Sequence, residues 1–160
     1  MVDRAVQDYY TDDFAHCYGC GRLNRDGLHV QTRWDGNETV ARFTPRSYHV
    51  AVPGFVYGGL IASLFDCHGI GTAAAAAERA AGRAPGDAAA PRFVTAALRV
   101  DYLKPTPLGP ELEVRATVKE TTPRKIVIQA TLSAAGIVTA RGEVVAVAMP
   151  PSMATPAARS

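Results

Sequence analysis

The sequence lacks the features that would place it in a membrane, secreted or nucleic-acid-binding class. Among its 160 residues, no stretch of about twenty apolar residues is free of charge, and the acidic start offers no apolar run for a signal peptide. The formal net charge is +2 without a long basic or acidic block, so nucleic-acid binding has no support. Three cysteines are an odd number, which argues against a disulfide framework. We therefore expect a cytoplasmic protein that binds neither membrane nor nucleic acid.

The order of predicted elements indicates an α+β fold. Two β-like segments, 28–34 and 39–43, flank a turn cluster at Asp35–Asn37. From about Gly59 to Ala81 the chain is rich in helix formers and apolar nearly all round in its first half, so this helix must be buried. Four more strands are predicted at 93–103, 112–120, 125–133 and 137–148. Such a helix needs a sheet that wraps it, and we predict six antiparallel strands around one long central helix.

The length fits a single domain with short extensions. We expect residues 1–26 to form a polar leader and loop, and residues 27–149 to form the domain. Residues 150–160, with three prolines and little apolar surface, are expected to be disordered.

Asp66 is the most informative residue for function. It falls in the most apolar part of the predicted helix, where an unpaired carboxylate would cost several kcal/mol, a rough transfer estimate. Buried ionisable groups cluster at functional sites, so we expect Asp66 to be catalytic. The alternative is a buried carboxylate satisfied by a hydroxyl or a backbone amide.

Gly58 and Gly59 mark the predicted helix start. A helix N-terminus presents free N–H groups, and glycine lets a ligand approach them, as an oxyanion hole requires. The alternative is a tight turn that needs glycine conformations. Asp66 lies seven residues beyond Gly59, about 10 Å along the helix axis, too far for a base acting through one water. We infer that Asp66 serves the helix start of a second subunit in an obligate dimer.

The segment GFVYGGLIASLFDCHG resembles the helix-start motif of hotdog thioesterases of the phenylacetyl-CoA and 4-hydroxybenzoyl-CoA types. That motif is written His-Gly-Gly, six residues, then Asp or Glu. The segments HCYGCGRLNRDGLHV and VTAALRVDYLKPTPLG are also similar to the family, and the likeness covers residues 16–149. The resemblance implies a hotdog fold and hydrolysis of an acyl-CoA, or of an acyl-carrier thioester, without a cofactor other than the substrate's own coenzyme A.

The resemblance also implies roles for individual residues. An amide at Gly58 or Gly59 would polarise the thioester carbonyl, and Asp66 would act as general base or as nucleophile. Thr95 would help to hold the water, although a threonine in a strand is equally an ordinary β-former.

The chain departs from the family motif at Tyr57, which stands where a histidine is usual. Its phenol would donate a hydrogen bond, or its ring would only pack. His49 lies eight residues earlier and is a second candidate for the same site. His68 points to another face of the helix and is expected in the core or an interface. Further substrate contacts, to the acyl group or the phosphates of coenzyme A, are predicted at Val56, Lys104, Arg124 and Lys125.

No metal is expected, although Cys17 and Cys20 form a Cys-x-x-Cys pair beside His16. A structural zinc site needs four ligands, so Cys67 or a partner chain would have to complete the set.

Two alternative functions stay open. A non-catalytic acyl-thioester-binding protein is compatible with Tyr57. A hotdog dehydratase or hydratase would use an acid with a partnered histidine, and no Asp-x-x-x-x-His pairing surrounds Asp66. In each case we expect self-association as a homodimer or as a dimer of dimers.

Overall fold

In the computed structural model, which describes residues 3–154, one long helix lies against a six-stranded antiparallel sheet. The elements in chain order are β1 (Arg33–Asp35), β2 (Glu38–Phe43), α1 (Gly58–Ala80), β3 (Phe93–Tyr102), β4 (Leu112–Thr121), β5 (Lys125–Ala134), β6 (Ile137–Ala148) and α2 (Pro151–Ala154). The strands are arranged β1-β2-β4-β5-β6-β3, and every neighbouring pair is antiparallel. This is the hotdog architecture, and the predicted α+β class is confirmed.

The core lies between α1 and the concave face of the sheet. Leu64 and Phe65 of the helix are fully buried, together with Leu112, Ile128 and Val144 of the strands. This burial explains an apolar helix that is long enough to cross a membrane, since 72% of its most apolar window is covered by the rest of the chain. The helix is therefore the core helix of a wrapped sheet.

The predicted strand at 28–34 is wrong in its first half. Only Arg33–Asp35 form β1, because the backbone before them bonds to the leader instead of to β2. The amides of Leu28 and Val30 donate to the carbonyls of Tyr18 and Gly19, at 2.8 and 2.9 Å. The leader is thus held along this segment.

Two short 3-10 helices at Val6–Tyr9 and Asp12–Phe14 shape the leader. Val6 and Tyr10 are buried in a second apolar cluster with alanines of the second half of α1. The leader therefore covers part of the central helix.

The predicted disorder of the tail does not hold for its first residues, because Pro151–Ala154 form the short helix α2. A proline at the first position of a helix costs no hydrogen bond, since that amide has no partner within the helix. The expectation for residues 155–160 lies outside the described residues.

Candidate active site

The start of α1 presents free backbone amides. Tyr57 caps the helix in an extended conformation, and its own amide donates to the carbonyl of His49 at 2.9 Å. Within residues 3–154, the amides of Gly58 and Gly59 donate no hydrogen bond to another backbone group. These two N–H groups carry the positive end of the helix dipole and are available to an oxyanion.

The glycines at this position allow close approach to the helix start, and no special backbone conformation is involved. Neither Gly58 nor Gly59 has a positive φ, so the alternative of a tight turn that needs glycine conformations is wrong. A Cβ at Gly59 would lie 2.4 Å from Cε1 of Tyr57, whose ring lies over this residue. Tyr57 is 57% exposed, so its ring does not pack in the core.

A cavity of about 480 Å³ adjoins the helix start. Its lining is mostly apolar and includes Phe55, Val56, Ile61 and Tyr102, with Lys104 at its edge. Val56 and Lys104, both predicted to contact substrate, thus lie together beside the free amides.

Arg124 and Lys125 lie at the other end of the sheet. Lys125 at the start of β5 pairs with Val147 of β6, and Val147 pairs with Val94 near the start of β3. Lys104, in contrast, follows the end of β3. Ten residues of strand span about 33 Å. The three predicted phosphate contacts therefore do not form one site within one chain.

The Asp66 carboxylate accepts a hydrogen bond from the Thr95 hydroxyl, with Oγ1 and Oδ1 2.5 Å apart. Asp66 is only half-buried, so the predicted full burial of this residue is wrong for the single chain. The reason is its place on the helix. Ser63, Ala62 and Gly59 lie three, four and seven residues before Asp66, and these spacings place all four residues on one face of α1. All four are partly exposed, so the sheet does not cover this face.

A β-bulge lets one strand contact both functional parts of the helix. The pairing of β3 with β6 shifts between Thr95 and Ala97, and this extra residue reverses the alternation of the side chains. Thr95 therefore faces the helix before the bulge, and Tyr102 faces it after the bulge despite the odd spacing of seven. The Tyr102 hydroxyl donates to the carbonyl of Gly58 at 2.7 Å. Tyr102 is a site residue that the sequence analysis missed, because the bulge has no signal in the sequence.

The family follows from the chain's central segment. Residues 53–141, more than half of the chain, match the family described as the Thioesterase superfamily. The chain belongs to this superfamily. The match includes the helix start, Asp66, Thr95 and Tyr102.

The solved structure of one superfamily protein agrees with this assignment, and two more distant structures share the fold. A thioesterase superfamily protein from Shewanella loihica PV-4 is 49% identical, with 87% of this chain and 98% of that chain covered and a TM-score of 0.66. The PaaI protein from the phenylacetic acid degradation operon of E. coli is 16% identical, with 77% and 81% covered and a TM-score of 0.62. The protein smu.793 from Streptococcus mutans UA159, solved bound to acetyl CoA, is 14% identical, with 80% and 96% covered and a TM-score of 0.59. The two distant likenesses show the hotdog fold alone. No curated protein matches the chain.

In this thioesterase superfamily protein, His49 contacts the helix start through its backbone and not through its ring. The imidazole Nδ1 accepts a hydrogen bond from the Arg46 amide at 2.8 Å, and the ring packs against Phe43 and Tyr48. Burial, with Arg46 nearby, lowers the pKa of His49. The ring lines a separate cleft of about 550 Å³ with Arg42 and Arg46. The side chain is therefore not among the groups that line the cavity at the helix start.

His68 is fully buried, and its predicted place in the core is correct. Its Nδ1 lies 3.0 Å from the Thr32 hydroxyl, and its Nε2 lies 3.3 Å from the Thr39 hydroxyl. The Thr72 hydroxyl donates its one proton to the His68 carbonyl, so it must accept the hydrogen bond that it shares with the Thr39 hydroxyl. Because Thr39 donates its proton to Thr72, it accepts from the Nε2–H group of His68. This proton order fits a neutral ring, and burial lowers the pKa of His68 to about 4.

Proposed function

We propose that this protein is a cytoplasmic thioesterase that hydrolyses an acyl-CoA to the free acid and coenzyme A, in a site shared by two subunits of a homodimer. The observation that carries the proposal is the double attachment of β3. Thr95 binds the Asp66 carboxylate near one end of this strand, and Tyr102 binds the first residue of α1 at the other end.

Strand β3 has the properties of a surface that pairs with a second copy. It is an edge strand of ten residues, whereas the opposite edge strand, β1, has three. Residues 95–99 are exposed, and Leu98 alone leaves 39% of its surface open. A long exposed edge with free N–H and C=O groups favours pairing with another strand.

Antiparallel pairing of β3 with its twofold copy would bring the two halves of the site together. If Leu98 and Arg99 flank the axis, Thr95 lies opposite Tyr102 of the partner subunit. Side chains directly opposite each other on antiparallel strands lie about 5 Å apart. Asp66 would then lie beside the partner's free helix-start amides, which removes the gap of about 10 Å within one chain.

The same register would also bring the basic residues together. The partner's Arg124 and Lys125 would lie at the same end of the joined sheet as Lys104. The distance between Lys104 and this pair would be about three strand spacings, or about 15 Å. Lys104 and the partner's pair would then flank the path of the phosphates of coenzyme A. The acyl group would occupy the apolar cavity lined by Phe55 and Val56.

Hydrolysis would need no cofactor besides the coenzyme A of the substrate. The amides of Gly58 and Gly59 donate to the thioester oxygen, while Asp66 takes a proton from water and the resulting hydroxide attacks the carbonyl carbon. The tetrahedral oxyanion then collapses, the C–S bond breaks, and the leaving thiolate recovers the proton from Asp66. In the other route the Asp66 carboxylate attacks the carbonyl carbon, the C–S bond breaks and the coenzyme A thiolate leaves. Water then hydrolyses the acyl anhydride, which regenerates the carboxylate and supplies the proton that the thiolate takes up. Thr95 orients the carboxylate in either route.

The activity is tested with a panel of aryl, short and medium alkyl acyl-CoA substrates, by detection of the free thiol. We expect release of coenzyme A, and a loss of at least about 100-fold in Asp66→Asn with the dimer retained in light scattering. Asp101→Asn, which changes an exposed carboxyl on β3, is the control and should keep activity. Tight binding without thiol release by the unmodified protein would favour a binding protein instead, and hydration of an enoyl-CoA would favour a hydratase.

A mixing experiment tests whether the site is shared. Asp66→Asn loses the carboxylate, and Gly59→Val covers the helix-start amides, so each homodimer should be inactive. In a mixed dimer one site combines an intact Asp66 with an intact helix start from the other subunit. Subunit exchange should therefore restore activity. A site built within one chain would stay inactive after mixing, and that result would contradict the shared site.

A further inference from the structure

Away from the candidate active site, three cysteine side chains from two distant parts of the chain meet. The sulfurs of Cys17, Cys20 and Cys67 all lie within 4.8 Å of one another, and those of Cys17 and Cys67 are 3.8 Å apart. Cys17 and Cys20 belong to the leader, whereas Cys67 belongs to α1 and follows Asp66. All three are free thiols.

The loop that carries Cys17 and Cys20 is built for close approach to the helix. A Cβ at Gly19 would lie 2.1 Å from Sγ of Cys67, so only glycine lets the loop touch this sulfur. A Cβ at Gly21 would lie 2.4 Å from the backbone nitrogen of Cys17, so the turn itself also requires glycine. The spacing of the three sulfurs is thus imposed by the backbone.

A backbone hydrogen bond closes the loop that carries the two leader cysteines, since the Gly21 amide donates to the Cys17 carbonyl at 2.7 Å. Cys17 and Cys20 are thus held on one tight turn, with their sulfurs close to that of Cys67.

A half-buried cation lies beside the cluster. Nε and Nη1 of Arg92 are buried, and neither has a hydrogen-bond partner among residues 3–154. The guanidinium stacks on the Tyr10 ring at 4.0 Å and lies near Cys20. A positive charge that is partly withdrawn from water is stabilised by a nearby negative one. Three neutral thiols do not supply that charge.

We propose that Cys17, Cys20 and Cys67 bind one Zn²⁺ ion as thiolates, with the fourth coordination position open to solvent beside Cys17. Sulfurs bound to one tetrahedral zinc at about 2.3 Å lie roughly 3.8 Å apart, which is the separation of Cys17 and Cys67. Three thiolates and Zn²⁺ carry one net negative charge, which Arg92 balances. The sequence-based expectation of no metal rested on missing ligands, and the fold supplies Cys67 as the third.

The site would join the leader to the central helix. Because metal binding selects the folded arrangement of its ligands, zinc would stabilise the docked leader and the part of α1 next to Asp66. This inference does not depend on the thioesterase proposal, since it concerns other residues and is measured without a substrate.

The test is zinc content and ligand geometry in the full-length reduced protein. After dialysis with zinc and removal of the excess, elemental analysis should find one equivalent per chain. Replacement by Co²⁺ should give a thiolate-to-metal charge-transfer band in the near ultraviolet. Cys17→Ser and Cys67→Ser should each lose both signals, while His16→Ala, next to Cys17 but outside the cluster, should keep them.

If Cys67→Ser does not fold, alkylation of the protein without substitutions still tests the proposal. Bound zinc should slow the modification of all three thiols, and removal of zinc by a chelator should restore the rate at each position in a peptide map. Zinc far below one equivalent would overturn the proposal. So would a full zinc equivalent in Cys67→Ser, protection of Cys17 and Cys20 alone, or a disulfide bond between any two of the three in the zinc-treated reduced protein.

Discussion

The two sides of the central helix differ in how complete they are within one chain. On one side, Gly59 and Asp66 are half-buried, and the carboxylate has a single hydroxyl partner. On the other side, Cys67 and His68 are buried, and both ring nitrogens of His68 have partners. Consecutive residues of a helix point about 100° apart, so Asp66 lies on a different side of the helix from Cys67 and His68, although the three are adjacent in sequence.

This difference separates function from stability along a short stretch of sequence. The side with Cys67 and His68, which we call the closed side, joins leader, helix and sheet through hydroxyls and thiols. Changes there should therefore affect folding. The side with Gly59 and Asp66, the open side, lacks the partner that our proposal assigns to a second subunit, so changes there should affect activity and leave the fold intact. The four predictions below test this separation.

The largest effect is expected from His68→Ala. The change leaves a cavity in the core and removes the hydrogen-bond partners of two buried hydroxyls, Thr32 and Thr39. We expect the free energy of unfolding to fall by about 4 kcal/mol. Asp66→Ala should change it by less than about 1 kcal/mol. Chemical denaturation measures both, and equal losses would remove the distinction between the two sides.

Acid should destabilise the closed side. The folded-state pKa of His68 is about 4, below its ordinary value of 6.5. Between these two pH values, His68 is therefore protonated in the unfolded chain and neutral in the folded chain. The stabilising effect is present above pH 6.5 and is lost as the pH falls to about 4, by about 3 kcal/mol. Denaturation curves at pH 7 and pH 4.5 measure the loss. Carboxyl groups also titrate here, so the control is His68→Gln, which should show a shallower pH dependence.

Gly59 and Gly69, two of the glycines of α1, should respond differently to alanine. A Cβ at Gly69 would lie 2.6 Å from a methyl group of the buried Val144, so Gly69→Ala should lower the free energy of unfolding by about 2 kcal/mol. At Gly59 the clash is with the exposed ring of Tyr57, which can swing away, so Gly59→Ala should change stability by less than about 1 kcal/mol. Thermal melts compare the two variants. A larger loss at Gly59 would show that its side of the helix is closed in the working protein.

The smallest effect is expected from Thr95→Val, which removes the hydroxyl and keeps the shape. Loss of this hydrogen bond to Asp66 should reduce the rate of acyl-CoA hydrolysis about tenfold, or about 1.4 kcal/mol in the barrier, with little change in stability. The matched control is Thr131→Val, on the outer face of the sheet. An unchanged rate in Thr95→Val would remove the positioning role of Thr95.

Much of the fold could be predicted because local patterns report it. Alternation in Leu112–Thr121 and the apolar helix formers of Gly58–Ala80 are visible in a window of a few residues, and both elements are confirmed. The first half of the strand at 28–34 failed because its pairing partner is the leader, and that choice depends on distant residues.

The candidate site was predicted in part. The helix start and Asp66 were named from the Gly-Gly motif, and their catalytic roles stay predictions. Tyr102 was missed because its contact depends on a bulge near Ala96. Lys104 and Arg124 were grouped by charge alone, although the strands carry them to opposite ends of the sheet.

The sequence by itself determined the α+β class, with one long buried helix among antiparallel strands, since the periods of strands and helices are visible in neighbouring residues. Only the tertiary structure decided that Asp66 is half-exposed on a face shared with Gly59, and that Cys67 meets Cys17 and Cys20. Both facts depend on the rotation of α1 against the sheet and on how the leader crosses it. That rotation is set by packing between residues such as Phe65 and Gly142, far apart in the chain, which no local pattern encodes.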